Sequence, residues 1–241
     1  MNRNIAFLEL KYGNINGGYP NFYAISEVSL LVFETDSNRV FLESFQNTAD
    51  IDIVNVFSKA NELGNTIERV REIQNLRTGR TRPWDEDYKL GEQDLDREFF
   101  KLRPTKQHIN RFFMKNMRKY DFQDIITFDG RRDIFLCEKS GVNFYRYHIH
   151  DLQKDITKET NYLFSLNKLA KVINFRCNSS YLTSNNLEYR LHPIAARQIV
   201  PKSAAYDAAR LLMVHNEFRE QKDDFLLKAA LLLNKIEMAK K

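Results

Sequence analysis

ITFDGRRDIFL, residues Ile126–Leu136, sets how the rest of the chain is read. Asp124–Phe128 is a short strand on its apolar, β-branched content. Gly130 interrupts it, and Arg132–Lys139 resumes as a helix. Asp133 therefore falls where a strand gives way to a helix. The plainest account of an acid there is a helix-start residue that favours the positive end of the dipole, and the same account covers Asp207. Two other stretches attach an acid to a regular element in a similar way. IAFLEL, Ile5–Leu10, reads as a short buried strand with Glu9 near its end. KSAAYDAARL, Lys202–Leu211, opens a terminal helix and carries Asp207.

Outward from these stretches, Gly13, Asn14, Asn16, Gly17, Gly18 and Pro20 predict a turn-rich loop. Tyr23–Phe33 and Arg39–Phe45 predict strands, so the chain opens as an antiparallel meander. Ile51, Val54, Phe57 and Ala60 recur at helical spacing, and a second helix is expected over Thr66–Leu76. Arg77–Pro104 is polar and charged, with the single Trp84, and reads as an insertion or exposed loop with a short helix. Thr105–Tyr120 has one apolar face (Ile109, Phe112, Phe113, Met117) and one basic face (Lys106, Arg111, Lys115, Arg118, Lys119). Phe144–Leu152 alternates as a strand does. Tyr162–Phe175 is helical, with Leu163, Leu166, Leu169, Ala170 and Ile173 inward, and Arg176–Val200 is irregular. Ala204–Phe218 and Asp224–Met238 are terminal helices, the second capped by Asp223 or Asp224. A three-strand meander, two further strands and flanking helices make a mixed α/β domain spanning 1–241, with the insertion at 77–104 and the C-terminal helix at 224–238.

The bulk composition narrows the class. With 43% hydrophobic and 29% charged residues the chain is an ordinary globular protein. Cys137 and Cys177 have neither framework nor zinc spacing, which fits reduced thiols in the cytoplasm. The N-terminal apolar run is too short for a signal peptide, and no stretch approaches the ~18 apolar residues of a membrane span. A net charge of +5 is compatible with a nucleic-acid partner without requiring one.

The order of elements and the three acidic motifs resemble the RNase H-like fold of the DEDD 3′–5′ exonucleases. In that family the first strand carries Asp-x-Glu, a second Asp opens a helix after a strand, and a late helix carries the last Asp. One subfamily places a His five residues before that last Asp. On this resemblance Glu9 takes the first acid, Asp133 the second-motif acid and Asp207 the last. Asp129 stands at a position that is often Asn. Lys11 stands where the second acid of the pair belongs, and Lys202 where the His belongs. The resemblance covers most of the chain except 77–104.

What the resemblance implies is phosphodiester hydrolysis with two divalent metals, Mg²⁺ or Mn²⁺, held by carboxylates. Three acids remain, Glu9, Asp133 and Asp207, with the Lys11 ammonium beside them, so at most one ion is expected, and none if the protein is inactive. Glu9 adds a methylene to the ligand arm. Lys202, with an ordinary pKa near ~10.4, is a poor base at neutral pH. The expected function is engagement of DNA or RNA with impaired or lost hydrolysis, in a binding or scaffolding role. The alternatives are an active metal-dependent exonuclease with a shifted ligand set, and a protein–protein module on the same fold docking through 77–104 or the C-terminal helix. Glu27 is a candidate relocated acid, with a strand-end acid as its bland reading. Arg131, Arg132, Lys115 and Arg118 are candidate phosphate contacts, with solvated helix faces as theirs. Trp84 with Arg80 and Arg82 would stack on a base or anchor the insertion in a protein partner. His148 and His150 share one side of a strand and read as a half-exposed pair.

Overall fold

The computed structural model describes residues 4–15, 23–46, 53–54 and 92–238. The expected helix over 66–76, most of the one beginning at Ile51, and Trp84 with Arg80 and Arg82 lie outside them.

Strands β1 (Asn4–Ile15), β2 (Tyr23–Glu34) and β3 (Arg39–Gln46) form the antiparallel meander. β5 (Phe122–Thr127) lies parallel to β1 and β6 (His148–Asp151) parallel to β5, so the order is β3-β2-β1-β5-β6. A two-residue strand β4 (Ile53–Val54) pairs with the end of β1, where the sequence pattern predicts a helix. The result is a mixed sheet flanked by helices.

Both sheet faces are covered, and strand alternation sorts the residues between them. On one face Ala6, Leu8, Leu10, Val28, Leu30 and Ile125 pack against Ile109 and Phe113 of helix α1 (Glu92–Tyr120) and Leu136 of α2 (Arg131–Lys139). On the other, Phe7, Leu31, Phe33 and Ile126 pack against α6 (Ala204–Glu220). Helices α3 (Leu152–Thr160), α4 (Leu166–Val172) and α7 (Lys222–Met238) complete that layer. Helix α6 is buried continuously from Leu211 to Glu217 because it runs between the sheet and this outer layer. Its first turns carry Ala204, Ala205, Ala208 and Ala209, all buried. Such small side chains let a helix approach a sheet closely, and this sets the position of Asp207.

Several boundaries differ from the sequence pattern. β1 continues through Gly13 and Asn14, because pairing with β2 resumes after a register shift between Lys11 and Tyr12. The short helix expected within 77–104 covers residues 92–104 and runs on without a break into the helix expected from Thr105, as α1. The strand expected over 144–152 is confined to His148–Asp151. The helix expected over 162–175 is only Leu166–Val172, started by a Ser165 cap, and Leu163 is exposed instead of inward. Asp223 and Asp224 lie inside the first turn of α7 and do not precede it. Residues 176–200 hold a small antiparallel sheet, β7 (Arg176–Cys177), β8 (Tyr181–Thr183) and β9 (Glu188–Arg190), and helix α5 (Pro193–Gln198). Strands of two or three residues are too short to show alternation. Among the described residues no helix is long and apolar enough to cross a membrane.

Candidate functional site: a charged cavity between β1, α2 and α6

Glu9 and Lys11 follow Phe7 on the side of β1 that faces α6, since residues two apart share a face. Asp207 approaches from the first turn of α6. That turn is held from two directions. The Ser203 hydroxyl accepts a hydrogen bond from the Tyr206 N–H at 3.0 Å, and the Glu27 carboxylate accepts one from the Ala204 N–H at 2.8 Å. Glu27 thus serves the helix start, as its bland reading has it, and does not line the cavity around Glu9.

Asp133 arrives from the opposite side, in the first turn of α2, where its carboxylate accepts a hydrogen bond from the backbone of Leu10. The turn that delivers it is tight. A Cβ on Gly130 would lie 2.3 Å from Cβ of Thr127, so only glycine fits. Asp129, just before it, is left-handed at φ 52°, and its N–H bonds Asp151 at 3.0 Å.

These elements enclose an open cavity of about 1110 Å³. Glu9, Asp129, Asp133 and Asp207 line it, with Lys11, Arg131, Arg132, Lys202 and Arg210. Tyr12, Phe128, Phe135 and Tyr206 add aromatic surface. Lys202 is left-handed at φ 72°, an unusual state for a side chain this long. The Lys11 ammonium lies directly on the Asp207 carboxylate. Arg210 holds the other oxygen of Asp207 at 3.1 Å, bonds Asn167, and stacks on the Tyr206 ring at 4.2 Å. Asp207 is therefore claimed on both oxygens by cations.

The other two acids are differently placed. Burial, and then the neighbouring Asp133 and Asp207 charges, push the Glu9 carboxyl well above the usual carboxylate range. Oε1 of Glu9 is buried and has no hydrogen-bond partner among the described residues. Burial pushes Asp133 up to about 7, against the opposing pull of the Leu10 hydrogen bond and Lys11. Five basic groups line the cavity against four carboxyls, and burial pushes two of those carboxyls toward the neutral form. A lining with this excess of cations suits an anionic ligand.

Among the described residues no group of three or more His, Cys, Asp or Glu side chains is arranged to hold a metal. Lys11 and Arg210 engage both oxygens of Asp207.

Of the residues singled out from sequence, Glu9, Lys11, Arg131, Arg132, Asp133, Lys202 and Asp207 all line the one cavity. Lys115 and Arg118 do not. They sit on α1, none of whose described residues lines the cavity. Arg210, Asn167 and Tyr206 were not singled out. Arg210 had a signal, since it follows Asp207 by three residues on a helix. His148 and His150 both face Asp124, at 3.4 and 3.2 Å, while Asp151 caps α3 by accepting from the Gln153 N–H.

No family model matches the sequence, and no curated protein matches it either. A solved structure described as the crystal structure of a full-length 3′-exonuclease is similar over 92% of this chain, at 11% identity and a TM-score of 0.42. The chain spans 62% of that protein's length. A likeness of that depth leaves function to be argued from the chain's own residues.

Proposed function

We propose that the cavity binds a phosphate-bearing strand of DNA or RNA, on an RNase H-like, exonuclease-related fold that has lost two-metal hydrolysis. The observation that carries this reading is the Lys11 ammonium seated on Asp207, inside a cavity that also holds Glu9 and Asp133. Where two-metal chemistry needs free carboxylates, this cavity has a fixed internal cation. Lys11, Arg131, Arg132 and Lys202 surround a space large enough for a strand end. Tyr12, Phe128 and Phe135 offer ring surface for bases, which stack without regard to sequence.

One observation favours a second reading, retained hydrolysis with a single Mg²⁺ or Mn²⁺. The unpartnered Glu9 oxygen beside Asp133 is the kind of buried acceptor that a cation would satisfy.

The test is binding of labelled single strands to the intact chain across a salt series, beside Arg131→Gln/Arg132→Gln. Binding that weakens with salt, and weakens at least ~10-fold in the double variant, is expected. Wild-type protein that binds neither DNA nor RNA at low salt would overturn the proposal and leave the protein-interaction alternative.

A further inference from the structure

We propose that the groove between β3 and the small β7-β8-β9 sheet is a second seat for single-stranded nucleic acid, on a track that crosses α5 and ends in the cavity around Glu9. The inference rests on the nucleic-acid reading of that cavity and extends it to a surface outside it.

The groove encloses about 680 Å³ between the β2–β3 turn and the segments on either side of β8 and β9. A parallel bridge between Val40 and Leu191 forms its floor, and the Leu191 N–H donates to the Ser180 carbonyl at 2.7 Å. Arg39 and Arg190 line it with His192, and no carboxylate does. Neither guanidinium is ion-paired to a carboxylate among the described residues. Glu34 stands opposite Arg39 in the β2–β3 register but is bound by Ser37 and not by the guanidinium. Two guanidinium groups without an ion-pair partner in one groove suit an anion, and their planar forks match phosphate oxygens. Tyr181 lines the same groove and is 36% exposed, so a ring is available for a base beside the phosphate seat.

The chain itself joins this groove to the cavity. His192 and Pro193 line the groove, whereas Pro201 and Lys202 line the cavity. Helix α5 lies between, and the Gln198 side chain ties its far end to Ser44 of β3. From Tyr189 to Tyr206 the sequence contains Arg190, Arg197 and Lys202 but no acidic residue. Arg197 is exposed on α5, part-way along. Six helical residues rise about 9 Å, and the residues to Pro201 at most double that. The chain path between the seats is therefore no longer than about six nucleotides at the stacked rise of ~3.4 Å each, and fewer for an extended strand.

The test compares strands of about three and about twelve nucleotides, by fluorescence anisotropy on the intact chain over a salt series. In Arg39→Gln/Arg190→Gln the longer strand is expected to bind roughly 10-fold or more weakly, with a salt slope smaller by about 1.4 for two lost phosphate contacts. The shorter strand, held by the cavity alone, is expected to bind as it does to wild type. Unchanged affinity and slope for the longer strand would overturn the track while leaving the cavity reading standing. Equal weakening of both strands would also overturn it, because the substitutions would then be acting on the cavity. Failure of the wild-type chain to bind either strand would remove the cavity reading and the track together.

Discussion

Helix α6 carries a buried polar cluster at each end, and the two are built on opposite rules. At the C-terminal end the Glu217 carboxylate accepts from the Asn186 backbone at 2.8 Å and from its side-chain amide at 3.0 Å. Asn216 donates to the Tyr189 hydroxyl at 2.9 Å and pairs with His215 at 2.8 Å. Burial pushes His215 down to about 4, so it is neutral at physiological pH and packs edge-on to Phe7. At the N-terminal end one Glu9 oxygen and the Arg210 Nε are buried without hydrogen-bond partners among the described residues, and two carboxyls are held above their ordinary range. A closed cluster with its groups matched stabilises a fold. An open one with groups unmatched is where a ligand has something to complete.

The comparison breaks most sharply at Glu217. Glu217→Ala strands the Asn186 donors and is expected to cost about 2–3 kcal/mol in urea unfolding. Glu9→Gln keeps the shape and removes an acid that burial disfavours, so its expected change at pH 7 is under about 1 kcal/mol. Similar losses from both would mean that the two ends are not different in kind.

Next in size is the pH dependence of stability. Asp133 has a folded pKa of about 7, above its ordinary 3.8. Its unfavourable contribution is absent below the unfolded value and fully developed above the folded one, so stability falls as pH rises from about 4 to about 7. His215 acts in the reverse sense, and its contribution is lost as pH falls from 6.5 through about 4. Asp133→Asn is expected to remove its own share of the high-pH decline, on the order of 2 kcal/mol between pH 5 and 8, and to leave the share from Glu9 and the acid limb unchanged. A decline undiminished in the variant would show that Asp133 does not contribute to it.

Gly130→Ala sharpens the account of how Asp133 is delivered. The added methyl has to displace Thr127, with an expected loss of about 1–3 kcal/mol in thermal or urea unfolding. Wild-type stability in that variant would mean that the turn is not as tight as described.

The two ends were not equally legible in the sequence. Glu9, Asp133 and Asp207 stood out because each sits on or beside the end of a regular element, where strand alternation and helix starts can be read locally. Lys11 stood out because it interrupts a pattern of acids. The meander was legible because β2 and β3 are long enough to show β-branched runs and alternation. The partners that complete the cavity, Asn167 and Tyr206, gave no local sign, since only the packing of α4 against α6 brings Asn167 to Arg210. The closed cluster was silent as well. Asn186, Tyr189 and Glu217 meet across a small sheet whose strands are too short to register as periodicity.

On the proposed reading, Lys11 on Asp207 leaves a cavity that binds a strand without cutting it. The most direct test of that claim is the fate of an end-labelled single strand incubated with saturating protein and Mn²⁺ or Mg²⁺, with Asp133→Asn and Asp207→Asn in parallel. The strand is predicted to be bound and to remain full length in every arm. Progressive shortening by the wild-type chain that both variants abolish would contradict the claim.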